Sequence, residues 1–419
     1  MKLHCSNIRF LSLWKLFIAL VLVGHLLRPS ESRAAEVASF PAVKDLPVQS
    51  AMPDPLAAGD GKPITPAQWP ARRAEMKRII EHYGLGHAPP PPGDVKGKDV
   101  ETSLLADGKV SYRRVRISFG PEEKLGFDLS IFLPAEATGI KGPFPTIVMP
   151  MFSAIDRQDV VAHPNKRANS PESVAGKYAP VLARGYAVAT LFYQDCGADN
   201  RDYRQSGFFP AYPDHDWADL AAWAWGMSRC VDFLEKQSFA DPSKFIAAGH
   251  SRLGKATLVA GAFDERFALV APAGSGCGGT GAYRFNGKGR GGKEGLEDVV
   301  KNFPQWVIPR VAEFSGQVEK LPFDQHWLIS LVAPRCFIAA DGLSDNATSV
   351  NALVQSYQAA KPVYDLLGVP DHLGLHFRPG GHQFAPEDWT AILDFADQRL
   401  RGMEVKRRFD ELPAPEPGN

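Results

Sequence analysis

Cysteine is scarce in this chain: five occur in 419 residues, Cys5, Cys196, Cys230, Cys277 and Cys336. No two stand in C-x-x-C spacing, so a zinc ribbon or a thioredoxin-type redox motif is not expected. Pairing among the last four is open, with buried free thiols as the other reading. An H-E-x-x-H run is absent too. Net charge is missing: 47 Lys and Arg balance 47 Asp and Glu. A generally basic surface for nucleic acid or an anionic membrane is thereby excluded. The apolar run at 16–27 (LFIALVLVGHLL) is too short to span a bilayer comfortably. Lys2, Arg9 and Lys15 precede it as a positive segment, and Ser32-Arg33-Ala34 follows it. This is the pattern of an export signal over 1–34, cleaved near Ala34, and implies a secreted or periplasmic protein without a stable membrane anchor.

No internal repeat and no interior linker break up the rest. With 44% hydrophobic and 22% charged residues the composition is that of an ordinary globular domain. Residues 35–65, rich in Pro, Ala and Asp, read as an irregular arm. Residues 66–419 read as one domain. Periodicity predicts a helix over 66–83, an antiparallel strand pair at 110–119 and 125–133, and buried strands at 144–150, 185–192, 245–250, 267–272 and 336–340. A last short strand falls at 374–378. Helices are expected at 178–183, 216–236, 252–263, 351–367 and 388–400. Strands alternating with helices imply a three-layer α/β sandwich around a mostly parallel, doubly wound sheet. Its N-terminal edge is antiparallel, as in an α/β-hydrolase. The glycine-rich stretch at about 274–324 reads as a loop-rich insertion over the site.

One stretch organises the chemistry: Phe245-Ile246-Ala247-Ala248-Gly249-His250-Ser251-Arg252-Leu253-Gly254-Lys255. It reads as strand, sharp turn, then helix. A serine on such a turn is pushed above the sheet, where a base reaches its hydroxyl. The following helix aims its N-terminal amides and positive dipole end at the same place, which favours an oxyanion. Leu253 occupies the second small position of the usual G-x-S-x-G, and the glycine comes one residue later, at Gly254. The competing reading is an ordinary helix start capped by Ser251.

Serine needs a histidine base, and the base needs a carboxylate to hold its tautomer. His382, in a glycine-rich loop before the closing helix, stands where this fold places the base. His326 reads as structural and His376 as packed in a strand. His372, His376 and His382 lack the spacing of a metal site. Asp341 and Asp345 both follow the strand at 336–340. Either could face His382, and the residues alone leave the acid open between them.

Gly249-His250-Ser251-Arg252-Leu253-Gly254-Lys255 resembles the G-x-S-R-x-G-K motif of the glucuronoyl esterases, carbohydrate esterase family 15. Trp223-Ala224-Trp225-Gly226-Met227-Ser228-Arg229 is similar to the family's A-W-G-x-S-R helix. Ser275-Gly276-Cys277-Gly278-Gly279 and Phe303-Pro304-Gln305-Trp306 resemble its S-G-C-G-G loop and F-P-x-W. His382 with Pro386-Glu387-Asp388-Trp389 matches its terminal H-x-x-x-P-E-D-W. The resemblance implies Ser251 as nucleophile, His382 as base and Arg252 against the oxyanion, with Lys255 and Glu294 on sugar hydroxyls. Gly274 stands where fungal members carry their glutamate. Asp341-Gly342-Leu343-Ser344-Asp345 resembles the D-x-W-x-D context of bacterial members, with Leu343 in place of the tryptophan, and this resemblance implies Asp341 as the acid with Asp345 the alternative. The implied activity is hydrolysis of esters of (4-O-methyl)-D-glucuronic acid, as in lignin–glucuronoxylan linkages, by a monomer needing no cofactor or metal. Two alternatives stand beside it. One is an acetyl or feruloyl xylan esterase, or a general carboxylesterase, on the same triad. The other is an inactive carbohydrate-binding homologue.

Overall fold

The computed structural model describes residues 40–57, 61–155, 169–285 and 294–414. The export signal expected over 1–34 lies outside them. Contacts gather Pro41–Asn419 into one compact unit. In chain order its strands are β1 (Lys96–Leu105), β2 (Val110–Phe119), β3 (Leu125–Pro134), β4 (Phe144–Met151), β5 (Ala187–Phe192), β6 (Ala240–His250), β7 (Phe267–Ala273), β8 (Cys336–Gly342) and β9 (Leu373–Arg378). The helices are α1 (Trp69–Ile80), α2 (Pro171–Ala183), α3 (Asp219–Leu234), α4 (Arg252–Phe263), α5 (Leu296–Asn302), α6 (Gln325–Val332), α7 (Val350–Leu366) and α8 (Pro386–Arg401).

The strands form one mixed sheet in the order β1-β2-β3-β5-β4-β6-β7-β8-β9. β1, β2, β3 and β5 pair antiparallel, and from β5 to β9 every pairing is parallel. Every residue of β4, β5 and β8 is buried, as parallel strands covered on both faces require. Leu269 and Ala271 of β7 join Ile246 and Ala248 of β6 in a core shared with α2 and α8. Val270 points the other way, against Gly261 of α4. A Cβ on that glycine would stand 2.2 Å from Val270 Cγ2, so only glycine lets α4 lie this close to the sheet. The parallel order places the C-terminal ends of β6, β7 and β8 side by side, and the candidate site is built there.

Three elements escape the sequence reading. β1 has no apolar alternation and is largely exposed. It forms because β2 offers it a partner, and Arg113–Asp99 (2.8 Å) and Arg114–Glu101 (3.2 Å) ion pairs bridge the two strands. α6 (QHWLISLV) is buried all round, so it carries no helical stripe. α5 is a short helix within the stretch expected to be loop. His326 and Trp327 of α6 both bond the Pro53 carbonyl, at 2.7 and 2.8 Å, which pins the N-terminal arm to the domain. The four described cysteines are buried and free.

Candidate active site

Ser251 sits between β6 and α4 with φ 59° and ψ −130°. A non-glycine residue holds this left-handed backbone only where its surroundings enforce it. The Ser251 amide donates to the Ala273 carbonyl at the end of β7 (2.9 Å). Gly249 leaves room for α4 to fold back: a Cβ there would lie 2.3 Å from Thr257 Oγ1 and 2.5 Å from the Leu253 carbonyl. Gly254 faces Ser275 Cβ, the Ala273 carbonyl and the Gly249 carbonyl at 3.0 to 3.1 Å. The shifted glycine thus stands where the first turn of α4 passes the end of β7, while Leu253 is buried.

His382 Nε2 lies 2.9 Å from Ser251 Oγ, and its Nδ1 lies 2.8 Å from Asp345 Oδ2. The carboxylate on the histidine is therefore Asp345, and the expectation of Asp341 is corrected. β8 runs through Gly342, so Asp341 is still inside the strand rather than first in the loop. Its buried carboxylate accepts the Gly274 amide (2.9 Å) and the Thr348 hydroxyl (3.4 Å) instead. Burial, together with the nearby charges of Asp345 and Asp388, pushes its carboxyl up to about 7. Asp345 lies in the turn beyond. Burial raises its carboxyl, but the His382 bond and the Ala347 amide outweigh that and hold it below the usual carboxylate range.

The acid turn and the histidine loop are joined through the backbone. Leu343 N–H donates to the Arg378 carbonyl (2.8 Å) and Ser344 N–H to the Gly380 carbonyl (2.9 Å). Gly342 allows this approach, since a Cβ there would stand 2.5 Å from the Gly380 carbonyl. Arg378, buried at the end of β9, holds the loop from inside. Its Nη2 donates to the Gln383 and Gly381 carbonyls (2.6 and 3.2 Å) and its Nε to Asp388 Oδ2 (2.8 Å). Asp388 also accepts the Ala385 amide at the start of α8 (2.8 Å), a physical reason for the P-E-D-W run after the histidine. His250 lies beside His382, ring centroids 4.6 Å apart. Burial first, then the charge of His382, lowers it to about 4, so His250 stays neutral.

On the other side of Ser251, Arg252 opens α4. Its Nη1 bonds Asp199 Oδ2 (2.5 Å), and its guanidinium lies over the rings of Trp306 (5.0 Å) and Phe303 (5.3 Å). The orphan amides of the α4 first turn open toward the same place. Phe152, after β4, packs on Tyr193 with centroids 5.8 Å apart. Lys255 is 3% exposed. Its ammonium donates to the Ser275 and Cys277 carbonyls (2.8 and 2.5 Å) and to Glu294 Oε2 (3.1 Å). All three ammonium hydrogens are used, so Lys255 anchors the Ser275–Cys277 loop, and Glu294 is the half-buried member of the pair. Gly274 adjoins the base: a Cβ there would lie 3.5 Å from His382 Cε1. His372 bonds the Pro334 carbonyl (2.7 Å) and His376 faces Asp388 (3.8 Å), so the three C-terminal histidines have separate partners.

A serine on a strained strand-to-helix turn, met by a histidine and a carboxylate from later strands of a mixed α/β sheet, defines the α/β-hydrolase class. The chain matches the family model described as "Glucuronyl esterase, fungi" over residues 122–368. It is 30% identical over 402 residues to carbohydrate esterase MZ0003 of an unknown prokaryotic organism, covering 84% of this chain and 90% of that protein. It is also 30% identical to the 4-O-methyl-glucuronoyl methylesterase of Schizophyllum commune, covering 86% of each. Among solved structures, the glucuronoyl esterase of Caldicellulosiruptor kristjansonii superposes with a TM-score of 0.71 at 31% identity, over 88% of this chain and 96% of that one. The chain belongs to the glucuronoyl esterases of carbohydrate esterase family 15 and is a carboxylic ester hydrolase of the 4-O-methyl-glucuronoyl methylesterase type.

Proposed function

We propose that Ser251, His382 and Asp345 are the catalytic triad, acting on esters of the uronic carboxyl of (4-O-methyl)-D-glucuronic acid, as in lignin–glucuronoxylan linkages. The observation that carries this reading is the continuous Ser251–His382–Asp345 hydrogen-bond chain beside Arg252. His382 Nε2 takes the hydroxyl proton as Ser251 Oγ attacks the C6 carbonyl. Asp345 holds Nδ1–H and stabilises the imidazolium. The oxyanion is met by the Arg252 backbone N–H, by a donor from the Met151-Phe152 region and by the Arg252 guanidinium. His382 then protonates the departing alcohol, and water repeats the sequence on the glucuronoyl-enzyme. The test is hydrolysis of benzyl glucuronate by the mature protein, beside Ser251→Ala and an acetyl ester. Turnover of the glucuronate ester that disappears in Ser251→Ala is the expected result. No turnover of it would sink the substrate assignment.

A second reading keeps the triad and moves the substrate to an acetyl or feruloyl ester. Leu343 favours it: a half-buried aliphatic side chain stands where the D-x-W-x-D context has a ring to stack on a sugar. Turnover of the acetyl ester alone would select this reading. We also propose export through residues 1–34. N-terminal sequencing of the protein recovered from culture medium or periplasm tests it, with a start near Ala35 expected.

A further inference from the structure

Asp199 carries no motif and stands in a connection after β5, yet its carboxylate collects four donors. Oδ2 accepts from Arg252 Nη1 (2.5 Å) and the Tyr193 hydroxyl (3.0 Å), and Oδ1 from Trp306 Nε1 (2.7 Å) and Gln305 Nε2 (3.0 Å). Four donors on two oxygens fill the lone-pair sites of a carboxylate. The Asp199 side chain is 3% exposed, so the carboxylate end of this ion pair is desolvated. The backbone of Asp199 holds a positive φ of 56°, and its amide donates to Asp219 Oδ2 (3.0 Å). Asp219 is fully buried. Burial, then the charge of Asp199, pushes its carboxyl up to about 9, so Asp219 is neutral and does not compete for the arginine.

Arg252 is thus held from two sides. Asp199 fixes Nη1, while the Phe303 and Trp306 rings, stacked 3.9 Å apart at 3°, lie under the guanidinium. Trp306 is itself fixed by Asp199 through its indole N–H. Among the described residues Arg252 Nε and Nη2 make no hydrogen bond, and the side chain is 30% exposed. A free arginine would have to be ordered during the reaction, at a cost in rotamer entropy. Preorganised donors avoid that cost.

We propose that Asp199 is a positioning residue for the reaction: it fixes the Arg252 guanidinium and the Trp306 wall so that the remaining guanidinium N–H groups face the oxyanion above Ser251. The proposal rests on the oxyanion role given to Arg252 above. Its test is a double-mutant cycle of Asp199→Asn and Arg252→Ala, run on benzyl glucuronate and on p-nitrophenyl acetate. Arg252→Ala is expected to lower kcat on the order of 10²-fold or more. Asp199→Asn is expected to lower kcat about tenfold with KM little changed, and to have no further effect in the Arg252→Ala background. Equal losses from Asp199→Asn in both backgrounds would assign Asp199 a purely structural role and overturn the proposal. An unchanged kcat in Arg252→Ala would overturn it as well. Should Asp199→Asn fail to fold by circular dichroism, Tyr193→Phe takes its place in the cycle. It removes one donor from the oxygen that holds Arg252, and its loss, about twofold to fivefold, must vanish without Arg252. If only the acetate is cleaved, the glucuronate assignment falls while the cycle on acetate still decides the role of Asp199.

Discussion

The two sides of Ser251 are built in different ways. On the histidine side the backbone does the positioning. The acid turn and the His382 loop are joined by main-chain hydrogen bonds, Gly342 lets them touch, and Arg378 binds three loop carbonyls. On the arginine side, side chains do it: one carboxylate, Asp199, joins Arg252, Trp306, Gln305 and Tyr193. The difference follows from the tasks proposed for His382 and Arg252. A general base must keep a hydrogen-bond distance to serine through repeated proton transfers, and short loops tied by backbone bonds move little. A long cation that meets a developing charge needs an anchor beyond the reach of its own backbone.

The comparison can be broken most sharply at the acid. Asp345→Asn is expected to lower kcat on the order of 10³- to 10⁴-fold, because an amide stabilises the wrong tautomer of His382. Asp341→Asn, four residues earlier, is expected to keep kcat within about threefold, since an amide oxygen still accepts the Gly274 N–H. Steady-state kinetics on the two variants separate them, and the reverse pattern would restore Asp341 as the acid. A smaller effect on chemistry, but a large one on stability, is expected for Arg378→Met. It strands the buried Asp388 carboxylate and frees the histidine loop, with about 3–5 kcal/mol lost in denaturant unfolding. An unfolding midpoint equal to that of the wild type would show that the loop holds itself.

The smallest effect is a pH dependence. The folded carboxyl of Asp341 is raised to about 7, above its unfolded value near 4. Its protonated form is the one the fold prefers, so its contribution to stability is present below about pH 4 and is lost as pH rises through 7. The melting temperature of Asp341→Asn relative to wild type should therefore rise between pH 4 and 8. A flat difference would show that Asp341 titrates normally.

The same contrast shows what was legible beforehand. β2 and α4 have the predicted bounds, and the buried parallel strands were found because a strand covered on both faces is apolar throughout. The strand-to-helix turn at Ser251, the His382 loop and Arg252 at the start of α4 were legible because each sits inside a local pattern. β1 was not, since its stability comes from a partner strand and cross-strand charges. Asp341 was expected beside His382, where Asp345 stands, because strand ends are set by pairing: β9 pairs with β8 through Gly342, which keeps Asp341 inside the ladder. The partners of Lys255, two carbonyls and Glu294, were not legible either, since they come from the loop after β7 and beyond.

By itself, then, the sequence determined the alternation of strands and helices, the strained serine, the histidine loop and the arginine beside the nucleophile. These follow from residue-by-residue chemistry over short spans, where hydrophobic period and turn geometry act locally. Only the tertiary structure decided which of two aspartates meets His382, what Lys255 binds, and that Asp199 lies under Arg252. Those contacts join residues 37, 22 and 53 positions apart. Their distances are fixed by how β8, the loop after β7 and the connection after β5 are brought to one edge of the sheet, which no local pattern encodes.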